Sequence, residues 1–249
     1  MNRREDVLRD LVIGNRVLSN EGVVDAYGHI SVRNPDEPRR FFLSRSLAPE
    51  FVDFEDVIEF TLAGEPAQAE PRSLYIERFI HSAIYTARPD VMAVVHAHAE
   101  DVLPFAISQQ PLVPVIHSGA FIGGEVPVWD IADRFGDATN LLVANVEQGQ
   151  DLAKRLGSNS VVLMRGHGFA AAAASIVDVV RMSIYLPRNA RALINALRLG
   201  GLKPLSAGEI AARRGGGGYR ANSPETWRAW QYWAHRAGCG DLLPERPEA

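Results

Sequence analysis

Residues 94–99 read Val-Val-His-Ala-His-Ala, an apolar, β-branched run that ends in two histidines one residue apart. Such a run fits a buried strand, in which side chains alternate faces, so His96 and His98 project from the same one. Two imidazoles on one face suit a metal ion, although a His-x-His pair also occurs in ordinary packing. A third candidate ligand, His167, stands in Arg165-Gly166-His167-Gly168 after another apolar run, residues 161–164. Glycine on both sides lets backbone and ligand approach closely. Three neutral imidazoles leave a divalent ion with open positions, the arrangement of a catalytic rather than a structural site.

The rest of the chain reads as alternating helices and strands. Residues 7–18 carry apolar side chains at helical spacing and predict a surface helix. Residues 26–33 and 41–44 read as a hairpin around a polar turn, 57–61 as a third strand, and 74–87 as a helix feeding the histidine strand. Residues 111–117 predict a proline-broken loop and a short strand, and 146–156 a helix. Residues 175–199 form the longest helical pattern, with Pro187 expected to kink or break it. Arg213, Arg214 and the glycines 215–218 predict a flexible loop that lacks the strand-to-helix setting of a nucleotide loop. Ser223-Pro224 is a helix start, followed by Trp227, Trp230 and Trp233, whose spacing suits packing, or a lid over an aromatic ligand. We divide the chain into a catalytic domain, 1–205, and a C-terminal extension, 206–249.

With 249 residues there is ample length for a large core, and a formal charge of −4 gives no nucleic-acid footprint or polybasic membrane patch. The single cysteine excludes an intramolecular disulfide framework. The start of the chain shows no apolar signal segment and no long uncharged apolar run follows, so a cytoplasmic setting is expected.

Glu77 lies four residues ahead of His81 on the helix before the histidine strand. It is either a buried acid or base with a pKa raised by burial, or half of an i,i+4 pair on a solvated face. His117 is either a proton donor or a strand-end histidine, while His81 and His235 read as structural or surface residues. Tyr185 on the long helix either reaches a neighbouring site or packs in the core.

Taken in order, Glu77-Arg78-Phe79-Ile80-His81-Ser82-Ala83-Ile84-Tyr85, Arg88-Pro89-Asp90-Val91, Val94-Val95-His96-Ala97-His98 and Arg165-Gly166-His167-Gly168 resemble the class II aldolase/adducin family, over residues 5–199. The resemblance implies an α/β fold, a three-layer α/β/α domain around a mainly antiparallel sheet. It also implies a homotetramer with active sites between neighbouring subunits. His96, His98 and His167 match the ligands of one divalent metal ion per subunit (Zn2+, Mn2+, Fe2+ or Co2+). Glu77 matches the acid/base or displaceable fourth ligand. Adducin-type members lack the histidines, so their presence here points to an enzyme acting on a small molecule.

Sugar-phosphate members cradle phosphate with a Gly-Asn-hydrophobic-Ser segment, a Thr-Gly turn and paired serines before the glutamate. This chain has His29, Ser44-Arg45-Ser46 and Leu74-Tyr75-Ile76 instead. The planar fork of Arg45 suits a carboxylate. The chain is accordingly most similar to the branch of metal-dependent decarboxylases acting on hydroxylated aromatic or hydroxypyridine carboxylic acids. Substrate contacts are expected from His29, Ser31, Ser44, Arg45 and Ser46, and catalysis from Glu77, His117 and Tyr185. Retro-aldol cleavage and decarboxylation both leave electrons that need a metal-bound oxygen one carbon away. The alternatives are therefore an aldolase, epimerase or dehydratase acting on a small sugar or sugar phosphate, a non-haem iron oxygenase, or a binding-only scaffold of the adducin kind.

Overall fold

In the computed structural model, residues 3–215 and 223–244 are described. They form, in order, α1 (Arg3–Asn20), β1 (His29–Arg33), β2 (Arg40–Ser44), β3 (Val57–Thr61), α2 (Arg78–Ala87), β4 (Ala93–Ala97), α3 (Leu103–Ala106), β5 (Val128–Trp129), α4 (Ala132–Phe135), α5 (Val146–Leu156), β6 (Val161–Met164), β7 (Gly168–Ala173), α6 (Ile176–Leu199), α7 (Ala207–Gly215) and α8 (Pro224–Arg236). The strands make one sheet in the order β3-β2-β1-β4-β7-β6-β5, antiparallel throughout except for the β5–β6 pair. The fold is α/β, in three layers. On one face Ile30, Val95, Ala97, Phe169 and Ala171 meet α1, α6 and α8. On the other, Val94, Val162, Ala170 and Ala172 meet α2 and α5.

Every residue of β4 and β7 is buried, as a central strand covered on both faces requires. The alanines of β7 leave room for helices to approach from either side. The register places His29 of β1 opposite His96 of β4, and Phe169 of β7 opposite Ala97. The end of β2, the start of β1, the end of β4 and the start of β7 thus meet at one edge of the sheet.

Several expectations change. The helix expected from residue 74 begins at Arg78, because the segment before it is tied to the turn after β2. Ser46 N–H donates to the Ser73 carbonyl at 2.8 Å, and the Tyr75 hydroxyl donates to the Leu47 carbonyl. Residues 111–117 form no strand, since Pro111 and Pro114 have no N–H to donate to a ladder; the edge strand is β5, further along. Helix α6 continues through Pro187 without a break. Arg213 and Arg214 belong to the helical turns of α7, and glycines 216–218 of the expected loop lie outside the described residues. Helix α1 is only partly a surface helix, with Leu11, Val12, Val17 and Leu18 buried. In α8, Ser223 caps the first turn by accepting from the Thr226 N–H. Trp230 and Trp233, 1% and 3% exposed, pack into the core that α1 and α6 share.

Helices α2 and α5 touch at Gly149, where an added Cβ would lie 2.4 Å from the Phe79 carbonyl oxygen. That neighbour is backbone and cannot swing aside. Gly149→Ala is therefore expected to lower stability by about 1–3 kcal/mol, read as an earlier midpoint of urea unfolding.

Candidate metal centre

The three histidines are each oriented by a different backbone or side-chain acceptor. His96 is fully buried, and its Nδ1 is 3.0 Å from the Phe169 carbonyl oxygen of the neighbouring strand. His167 Nδ1 is 2.8 Å from the Leu141 carbonyl. His98 Nδ1 lies 3.2 and 3.3 Å from the two carboxylate oxygens of Asp25. Carbonyl and carboxylate oxygens only accept, so each Nδ1 carries the proton and each Nε2 carries a lone pair. Those Nε2 atoms converge: His98 Nε2 lies 3.0 Å from that of His96 and 3.1 Å from that of His167.

Glu77, the residue preceding α2, completes the group. Its Oε1 accepts the Val143 N–H at 3.0 Å. Its Oε2 lies 3.3 Å from His96 Nε2 and 3.4 Å from His167 Nε2. Four donor atoms, one from each residue, lie within 4.8 Å of one another. A tetrahedron whose corners stand about 2.0–2.1 Å from a central ion has edges of about 3.3–3.4 Å. The Nε2 and Oε2 separations approach that frame, and three unshared pairs pointed together have no reason to converge without a cation. The donor set therefore fits a divalent ion. Outer partners that fix the tautomers are the usual complement of such ligands.

Burial pushes the Glu77 carboxyl up, but the close approach of His96 and His167 outweighs it and holds the group well below the usual carboxylate range. The expectation of a burial-raised pKa is thus reversed, and Glu77 stays ionised. Burial, together with His96, lowers His98 despite Asp25. For His167 burial lowers and the neighbouring Glu77 carboxylate raises, with a net upward shift. Leu141, whose carbonyl aims His167, has φ 65°, a left-handed conformation uncommon for a residue other than glycine. The backbone departure and the ligand it positions coincide, as local strain and function often do.

Residues 9–194 match the model of the Class II Aldolase and Adducin N-terminal domain. The chain belongs to the class II aldolase/adducin family. Decarboxylase tropJ of Talaromyces stipitatus is 41% identical over 196 residues, covering 74% of each chain. A 3,4-dihydroxyphthalate decarboxylase of Arthrobacter keyseri is 29% identical over 236 residues, 88% of this chain and 90% of that one. Among solved structures, L-fuculose 1-phosphate aldolase from Glaciozyma antarctica superposes with a TM-score of 0.76 at 23% identity, over 94% of this chain and 91% of that chain. Within the family this chain is thus similar to proteins named as decarboxylases.

The other expected site residues of this family member divide into three groups. His29, Ser44, Arg45 and Ser46 lie at the same sheet edge as the histidine cluster. Arg45 Nε already holds Asp56 at 2.7 Å, so its fork is partly engaged by a carboxylate of its own chain. Ser31 is sealed inside the protein, with its hydroxyl 2.6 Å from His81 Nδ1 and 2.8 Å from the Tyr85 hydroxyl; direct substrate contact is replaced by a supporting role.

His117 and Tyr185 are not brought to the cluster. His117 is exposed and lines a cavity of about 320 Å³ with Arg88, Ala173, Arg181 and Arg214. That cavity opens at the far end of β7, roughly 15–20 Å from His167 at about 3.3 Å per residue. Tyr185 meets Trp233 edge-on at 6.3 Å and carries the Arg188 guanidinium over its ring. The reading of Glu77 and His81 as a solvated pair does not hold, since both side chains are buried.

Asp25, Tyr75 and His81 were not expected in the site. Asp25 is 73 residues from His98, and no local pattern announces that pairing. Its Oδ1 also accepts the Tyr27 and Gly28 N–H groups at 2.9 and 3.0 Å, a turn signal that the sequence does carry. Asp25→Asn is expected to weaken Zn2+ affinity by about 10–100-fold with the fold intact, measured by competition against a chelator.

Proposed function

We propose that this protein is a metal-dependent lyase that decarboxylates a hydroxylated aromatic or hydroxypyridine carboxylic acid. The observation that carries the proposal is the convergence of the Nε2 atoms of His96, His98 and His167 with an ionised Glu77 beside them. The decarboxylase names of its relatives support the reaction class. The surroundings favour a ring acid over a sugar phosphate. The Tyr75 ring packs 4.4 Å from that of His29, and its hydroxyl is bonded to Leu47 where the phosphate-binding members have paired small hydroxyl residues.

A divalent ion on these ligands supplies a Lewis acid that draws electron density from the carbon–carbon bond being broken. The chain's own residues supply the proton transfers. Glu77, held as a carboxylate, accepts the proton of the ring hydroxyl at Oε2, while Oε1 stays anchored to the Val143 N–H. It then returns that proton to the ring carbon that bears the carboxylate, carbon dioxide leaves, and the electron pair of the broken bond restores the ring. The product oxygen regains a proton from solvent. A base that becomes the acid reconciles the depressed pKa of Glu77 with its catalytic use. Arg45, whose Nη atoms bond no described group, is suited to a second carboxylate of a dicarboxylic substrate.

We carry a homotetramer with sites between subunits as part of this proposal, and in it His117 serves only a neighbour's site. No helix among the described residues is long and apolar enough to cross a membrane.

The test is a metal analysis followed by a carbon dioxide release screen over hydroxybenzoates, hydroxyphthalates and hydroxypyridine carboxylates. Release from at least one acid is expected. No turnover is expected in the competing screen of dihydroxyacetone phosphate with aldehydes. His96→Ala is expected to lose both bound metal and turnover, and activity in metal-depleted His96→Ala protein would sink the proposal. Glu77→Gln is expected to lower kcat by about 10²–10⁴-fold.

A further inference from the structure

Behind the histidine cluster runs a line of buried polar side chains that the reaction above does not use. His29 Nδ1 lies 2.7 Å from His81 Nε2, His81 Nδ1 lies 2.6 Å from Ser31 Oγ, and Ser31 Oγ lies 2.8 Å from Tyr85 Oη. All four residues are at most 1% exposed. Their strand and helix positions explain the line: His29 and Ser31 alternate on β1, and His81 and Tyr85 are one turn apart on α2.

The direction of donation follows from the Tyr85 end. Among the described residues the Tyr85 hydroxyl has one acceptor, Ser31 Oγ; the nearby Val94 N–H is itself a donor. Tyr85 therefore donates to Ser31. The single Ser31 proton goes to His81 Nδ1, its remaining partner. A neutral imidazole with an accepting Nδ1 carries its proton on Nε2, so His81 Nε2–H donates to His29 Nδ1. The same rule then puts the His29 proton on Nε2. The 2.7 Å contact between His29 Nδ1 and His81 Nε2 has room for one proton, so one of these two nitrogens must accept.

No described group accepts from His29 Nε2–H. The His29 ring lies 5.2 Å from that of His96, its partner across the strands, so this open donor stands beside the metal ligands. The ring is 1% exposed but Nε2 is not one of the sealed unpartnered atoms, so this donor faces space that an incoming ligand can reach in place of water. We propose that Tyr85, Ser31 and His81 lock His29 as an Nε2–H donor whose partner is an acceptor oxygen of the substrate, a carboxylate or a deprotonated ring hydroxyl. His29 touches the substrate; the other three are positioning residues that set which of its nitrogens carries the proton. The identity of that oxygen rests on the decarboxylase reading, whereas the lock itself does not.

The test uses Zn2+-loaded protein labelled with 15N-histidine, whose seven histidines are few enough to resolve, with His29→Gln and His81→Gln for assignment. In the unsubstituted protein both His29 and His81 are expected as neutral rings protonated on Nε2. Ser31→Ala removes the donor to His81 and is expected to move the His29 proton to Nδ1. With a turned-over acid it is expected to raise KM by about ten- to a hundredfold with a smaller change in kcat. Ser31→Thr, which keeps a hydroxyl, is expected to restore both. A His29 proton on Nδ1 in the unsubstituted protein, or a tautomer indifferent to Ser31→Ala, overturns the lock. Protons placed as expected in a protein that decarboxylates none of the screened acids would uphold the lock and sink the decarboxylase reading.

Discussion

Three imidazole lone pairs, that of His98 lying 3.0 Å from His96 and 3.1 Å from His167, repel one another unless a cation lies among them, and much of this protein is arranged to keep them there. Each ring is fixed by an acceptor from a different part of the chain: the Phe169 carbonyl within the sheet, the Leu141 carbonyl in a left-handed loop residue, and the Asp25 carboxylate in a turn. None of the three can rotate its protonated nitrogen inward without losing its partner. The ionised Glu77 adds the one negative charge that the group needs, anchored through its other oxygen to the Val143 N–H.

The sheet explains how such distant residues meet. Antiparallel pairing of β1, β4 and β7 brings the start, end and start of those strands to one edge, so that His29, His96 and His167 are neighbours despite their separation in sequence. Close approach there depends on glycine. A Cβ at position 168 would lie 2.2 Å from the Ala97 carbonyl oxygen, so only the smallest residue lets the loop carrying His167 reach β4. On the outer side, α2 delivers Glu77 at its start and His81 one turn later, and its seat against α5 is set by Gly149.

The sequence carried much of this. Alternation in residues 94–98 put His96 and His98 on one face, and the glycines around His167 suggested the close approach that Gly168 makes. The order of motifs indicated the layered α/β fold. What it did not carry were partnerships made by the fold alone. Nothing near Asp25 or Leu141 announces a histidine, because those contacts cross 73 and 26 residues. Ser31 resembled a substrate contact because strand alternation places it on the same face as His29, yet two residues further from the edge it is sealed under α2. His117 lay close in sequence to the histidine strand, but the chain carries it to the other end of the sheet. Burial alone suggested a raised pKa for Glu77; the imidazoles around it decide the opposite.

The same edge of the sheet bears on what can bind. Tyr75 bridges the turn after β2 to the ring of His29, which lies beside His96, and Arg45 in that turn is linked to Asp56. Under the proposed decarboxylation these residues would meet a ring acid, and that proposal depends on the cluster holding an ion. X-ray absorption at the edge of the ion that copurifies with the protein tests that claim most directly. Three imidazole nitrogens and at least one oxygen are expected in the first coordination sphere. A protein that purifies without metal and takes up none, or an ion bound without imidazole, would contradict it.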